Sequence, residues 1–122
     1  MNIRRFVATS LLALSSLTCS VSNVHANTIP GPQYAVRYLA TNTNETFRFL
    51  LQGGSQSNIW VRGNGYSFLD IYIYDSFGRL ILTGSVVPGT DRHFWFTPTA
   101  TSTFSVQVVN RGYDTQYSLS TN

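Results

Sequence analysis

Past residue 30, turn-forming residues recur roughly every eight to twelve positions, and the runs between them alternate apolar and polar side chains. That rhythm fixes the class of fold. Period-two alternation places successive side chains on opposite faces of a sheet, whereas a helix needs apolar residues every three to four positions. No segment beyond residue 26 shows the helical period. The pattern predicts an all-β protein, an antiparallel β-sandwich of jelly-roll type with about seven to eight short strands.

The chain can be followed strand by strand. Residues 27–44 read as an extended leader, with Pro30-Gly31-Pro32 followed by an edge strand at Tyr34–Tyr38. Residues 45–122 read as the sandwich proper. Phe47, Phe49 and Leu51 share one strand face, and Gly53-Gly54-Ser55 ends that strand. Ile59 and Val61 share a face of the next, with Trp60 and Arg62 opposite. Gly63-Asn64-Gly65 is the strongest turn signal, since Asn and Gly tolerate positive φ. The clearest strand follows: Leu69, Ile71 and Ile73 form its apolar face, and Phe68, Asp70, Tyr72 and Tyr74 the other. A hairpin pairing Val61 with Leu69 and Ile59 with Ile71 points both aliphatic sets inward. It sets Trp60 beside Asp70 and Arg62 beside Phe68. Further strands are expected at 80–87, 93–96, 103–109 and 116–119.

Residues 1–26 have the parts of a cleavable secretory signal peptide: Arg4 and Arg5, the apolar stretch Phe6 to Val21, and Val24-His25-Ala26 at the cut. The stretch is shorter and more polar than the ~20 residues of a bilayer helix. No transmembrane segment is expected in the mature chain, and the location expected is secreted or periplasmic. Ser16-Leu17-Thr18 before Cys19 is a poor lipidation signal, so cleavage after Ala26 is preferred. Cleavage leaves 96 of the 122 residues, with six Arg, no Lys and five acidic residues. Without a basic run, nothing supplies affinity for a phosphate backbone, and nucleic acid is excluded as a partner. Cys19 is the only cysteine and leaves with the signal, so neither a disulfide nor a Cys-based metal site is available. Stability has to come from packing. Seven Phe, seven Tyr and two Trp remain for it.

Several phrases in this order resemble a known family. Leu69-Asp70-Ile71-Tyr72-Ile73-Tyr74-Asp75, then Gly78 and Leu80, is similar to a signature of bacterial pre-peptidase C-terminal domains. Trp95 with Thr97-Pro98, Thr103-Phe104-Ser105-Val106, Asn110-Arg111-Gly112 and Tyr117-Ser118-Leu119 resemble that family's later segments. The likeness spans about 45–122. It implies a jelly-roll-like sandwich of the kind attached to secreted enzymes and associated with secretion, stability, or binding of protein or carbohydrate. Some relatives bind calcium. Here Phe68 stands where the signature has its first Asp, and Thr101-Ser102 replaces the Gly before Thr103, so calcium is disfavoured.

The residues themselves show no catalytic constellation. His93 is the one histidine of the mature chain, it sits among aromatics, and no Gly-x-Ser-x-Gly elbow occurs. Asp70 and Asp75 point to opposite sides of a regular strand, and an Asp70–Arg62 cross-strand pair is the simpler reading. Asp91 and Asp114 are placed in loops and Glu45 at a strand start. This scatter does not gather the six to eight oxygens calcium takes, so neither metal nor cofactor is expected. What stands out is an outer face of Trp60, Arg62, Phe68, Asp70, Tyr72 and Tyr74, whose rings suit stacking on sugars or anchoring a protein. The reading is an exported non-catalytic module that binds an extracellular or envelope protein or carbohydrate. The alternative is a purely structural secreted or envelope-associated protein whose aromatics serve packing. Oligomeric state has no sequence signature here.

Overall fold

The computed structural model describes residues 27–122, so the expected signal segment and Cys19 lie outside the described residues. Nine strands follow: β1 (Thr28–Ile29), β2 (Gln33–Leu39), β3 (Asn44–Leu51), β4 (Ser57–Gly63), β5 (Leu69–Tyr74), β6 (Leu80–Val86), β7 (Asp91–Phe96), β8 (Ser102–Asn110) and β9 (Thr115–Thr121). They form two antiparallel sheets, one ordered β2-β9-β4-β7 and the other β1-β3-β8-β5-β6. No helix among the described residues is long and apolar enough to cross a membrane. The antiparallel sandwich read from the alternation is the fold, with the two-residue β1 added to the expected strands.

Alternation decides what lies between the sheets. Ile59 and Val61 from β4, Leu69, Ile71 and Ile73 from β5, Val106 and Val108 from β8, and Leu119 from β9 are all buried. Phe47, Phe49, Leu82 and Phe96 pack against this cluster from its rim. At one end, β2 and β3 approach with a polar group between them. The Tyr117 hydroxyl donates to Glu45 Oε1 at 2.7 Å, and Arg37 pairs with Glu45 at 2.9 Å. Arg37 also lies over the Phe47 ring, which meets Tyr117 edge-on. Burial, the Glu45 charge and the hydrogen bond to it push the Tyr117 phenol well above its ordinary value, so it remains a donor.

The expected β4–β5 hairpin is not formed. β4 lies between β9 and β7, where Val61 opposes Leu119 and Arg92. β5 lies in the other sheet between β8 and β6, where Leu69 opposes Asn110 and Val86. Residues 64–68 cross from sheet to sheet. Gly65 takes φ 99° within this crossing. The Asn64 side chain accepts from the Tyr66 N–H and the Ser67 hydroxyl, and Ser67 is bonded to Thr115 at 2.6 Å. These bonds turn the chain across the sandwich.

Candidate functional site

Because β4 and β5 sit in different sheets, the six expected face residues divide between two opposite surfaces. Trp60 and Arg62 are on the outer face of the four-stranded sheet. Asp70, Tyr72 and Tyr74 are on the outer face of the five-stranded sheet, with Phe68 at its end against Gly112. The expected Asp70–Arg62 pair is absent. Arg62 instead reaches Asp91, the first residue of β7 rather than a loop residue, at 3.9 Å. Asp70 is held by Arg111 at 2.7 Å and accepts from the Ser85 hydroxyl at 2.8 Å.

The four-stranded sheet carries the aromatic surface. Register brings Tyr34, Ser120, Trp60 and His93 into one row across all four strands. Cross-strand neighbours on a face stand about 4.5–5.5 Å apart, so such a row is in contact. The rings of Trp60 and His93 are stacked, with centroids at 4.7 Å and planes 6° apart. Trp95, two residues along β7, also meets the His93 ring, at 5.1 Å and tilted by 41°. The imidazole thus contacts both indoles. Asn58, directly opposite Trp95, fixes the ring through a 2.9 Å bond between its Oδ1 and His93 Nε2. On the far side of the face, β2 adds Tyr34 and Tyr38, 72% and 76% exposed, while Trp95 is 59% exposed. Strand Tyr34–Tyr38 therefore extends this face at its edge and does not cover it.

His93 and Trp95 were missing from the expected face. Their signal was present in the sequence, since Phe94 between them is buried and alternation places both neighbours outside. Their contact with Trp60 depends on β7 pairing with β4, which is a long-range fact. Tyr34 and Tyr38 were legible as strand residues but not as members of this face, because edge position depends on sheet order.

The other face is more polar. Ser105 of β8 lies between Arg48 of β3 and Tyr74 of β5 in one cross-strand row. Tyr72 is one row along, opposite Gln107 and Thr83. A shallow depression of about 440 Å³ opens over Ser105. Asp75, which also lines it, closes the β5–β6 turn by accepting from the Phe77 and Arg79 N–H groups, and Arg79 adds an ion pair at 2.8 Å. Among the described residues, no three His, Cys, Asp or Glu side chains gather at metal-binding distance.

Asp70 makes a pH prediction. Partial burial works to raise its pKa, but hydrogen bonds from Arg111 and Ser85, together with the Arg111 charge, outweigh that and hold it below the usual 3.8. A carboxyl with a lowered folded pKa stabilises in full above its unfolded value, and that stabilisation is lost as pH falls through the folded value. Asp70→Asn is expected to flatten the loss of stability seen when urea midpoints are measured from about pH 5 down to pH 2. An unchanged slope would remove Asp70 from acid sensitivity.

No protein-family model matches the sequence, and no curated protein matches it. Solved structures do. A periplasmic inhibitor of g-type lysozyme from Aeromonas hydrophila, PliG, is similar over 84% of this chain and 91% of its own, with 12% identity and a TM-score of 0.52. A chain from the disulfide-linked pili of Bacillus endospore appendages is similar over 88% of this chain and 96% of its own, with 12% identity and a TM-score of 0.42. At such identities the first likeness concerns the sandwich fold alone.

Proposed function

We propose that the mature chain is an exported, non-catalytic binding module that takes a protein partner on the outer face of its four-stranded sheet. The observation that carries this reading is the Trp60–His93–Trp95 stack flanked by exposed Tyr34 and Tyr38. Trp, Tyr and Arg are the residues in which interface energy concentrates. The face is broad and open, which suits a partner surface better than a small molecule buried in a cleft. Its charged members, Arg62 and Asp91, are exposed and loosely paired, so they are free to regroup on contact. His93, bonded to Asn58, stacked on Trp60 and tilted against Trp95, is a packing element of this surface and not a general base.

Membership of the pre-peptidase C-terminal group is part of the proposal. It is supported by where the matching residues fall. Leu69–Asp75 forms β5 and the start of a turn whose Gly78 has φ 81°, and Asn110-Arg111-Gly112 forms the β8–β9 connection. Export is supported by the N-terminal segment.

The test uses the mature protein against defined ligands: lysozymes including the g-type, extracellular-matrix proteins, and a glycan array. Trp95→Ala is expected to change stability by less than ~1 kcal/mol, because the side chain is mostly exposed. It is expected to weaken a protein ligand's binding by about ten-fold or more, the mark of a central anchor. If Trp95→Ala and Tyr34→Ala leave binding intact, the partner sits elsewhere. If they destabilise as much as a core truncation, the purely structural reading replaces this one.

A further inference from the structure

We infer that the depression on the opposite sheet is a second site, one that binds a carboxylate-bearing sugar residue. The argument starts from the row Arg48, Ser105, Tyr74 on three successive strands. A short side chain between a long cation and a phenol leaves a trough. The Tyr74 ring walls one side and the Arg48 guanidinium the other, and the space of about 440 Å³ falls within the range of small-ligand sites.

Charge identifies what the trough would hold. Among the described residues, Arg37, Arg62, Arg79 and Arg111 are in ion pairs, and Arg92 lies over Phe94. Arg48 has neither kind of partner there. Asp75 lines the same space but does not pair with Arg48. Asp75 is already engaged by two backbone N–H groups and by Arg79. These contacts, the Arg79 backbone N–H foremost, hold its pKa below the ordinary value against the opposing effect of desolvation. A guanidinium with a free planar fork favours an oxyanion, and it can grip a carboxylate with two parallel bonds. Thr46, Thr103 and Ser105 line the same space and supply hydroxyl groups, which can donate to or accept from ring hydroxyls. The Tyr74 ring offers a flat apolar wall to the C–H face of a pyranose. Cation, hydroxyls and one ring in a trough together match an acidic sugar better than an aliphatic acid or a neutral glycan.

The probe is trigalacturonic acid, with galactotriose as the neutral counterpart of the same ring and acetate as the carboxylate alone. Chemical-shift titration of the mature protein is expected to show trigalacturonate binding with shifts centred on 46–48, 74 and 103–107. Galactotriose and acetate should each bind about ten-fold more weakly or worse. Arg48→Gln should abolish the preference for the acid, and Arg48→Lys should restore part of it, since a point charge keeps attraction but loses the fork. Both variants change an exposed side chain, so their thermal melts should match the wild type. Trp95→Ala on the other face should leave the titration unchanged, which separates this site from the protein-binding face. Equal binding of the neutral sugar, absence of binding by the acid, or an acid preference that survives Arg48→Gln would each overturn the inference.

Discussion

Truncating Ile71 to Ala is expected to destabilise the domain by ~2–5 kcal/mol, the range for deleting a buried aliphatic side chain and leaving a cavity. Ile71 has no exposed surface, sits in the middle of β5, and is flanked in its sheet by Val108 and Gly84. The glycine neighbour has no side chain with which to fill the gap. Domains of this size have only ~5–15 kcal/mol in total. Residues 27–122 contain no cysteine to staple them. The loss is therefore expected to lower the melting temperature by roughly 10 °C or more. Urea unfolding of the mature protein measures it directly, with Ile71→Val as a milder control at ~0.5–1.5 kcal/mol. A loss below that control would mean that this part of the interior is loosely packed.

Replacing Asn110 with Ala is the second large effect, and its origin is polar. Asn110 is fully buried at the end of β8. Its side-chain amide donates to the Leu39 carbonyl at 3.0 Å and the Tyr113 carbonyl at 2.8 Å, and its Oδ1 accepts from Gly112 N–H at 2.9 Å. One amide thus ties β2 of one sheet to β8 of the other and closes the β8–β9 turn. Alanine would leave two carbonyls and one N–H without their partner. Each buried group left unsatisfied costs ~1–3 kcal/mol, so a loss of roughly 3 kcal/mol is expected. Asn110→Asp should also be harmful, because a carboxylate cannot donate to the two carbonyls. If Asn110→Ala costs under ~1 kcal/mol, water reaches the turn and the tie between the sheets is weak.

The sequence carried the strands well, because alternation is a local signal. Leu69, Ile71 and Ile73 read as one apolar strand face, and all three are buried. It carried the pairing of those strands poorly. A crossover between sheets and a hairpin within one sheet impose the same inward parity on Ile59, Val61, Leu69, Ile71 and Ile73, so alternation could not tell them apart. What separated them was the set of side-chain bonds from Asn64 to Tyr66 and Ser67 and from Ser67 to Thr115. The candidate face inherited that ambiguity. Trp60 and Tyr72 share outward parity, yet they lie on opposite sides of the molecule. Asn110 shows the same gap at smaller scale. Asn-Arg-Gly is legible as a turn, but the Leu39 carbonyl that the amide serves lies 71 positions away in the chain.

The placing of Trp60 and Trp95 has an optical consequence. These are the only two tryptophans in the chain, and both contact His93 on the four-stranded sheet. Ultraviolet emission from the unlabelled protein therefore reports on one side of the sandwich. An occupant of the aromatic stack should change its intensity or wavelength. A ligand seated over Ser105 on the other sheet should leave it unchanged until the fold itself is lost. The molecule carries a side-resolved reporter, able to say which surface a new ligand has found before any residue is replaced.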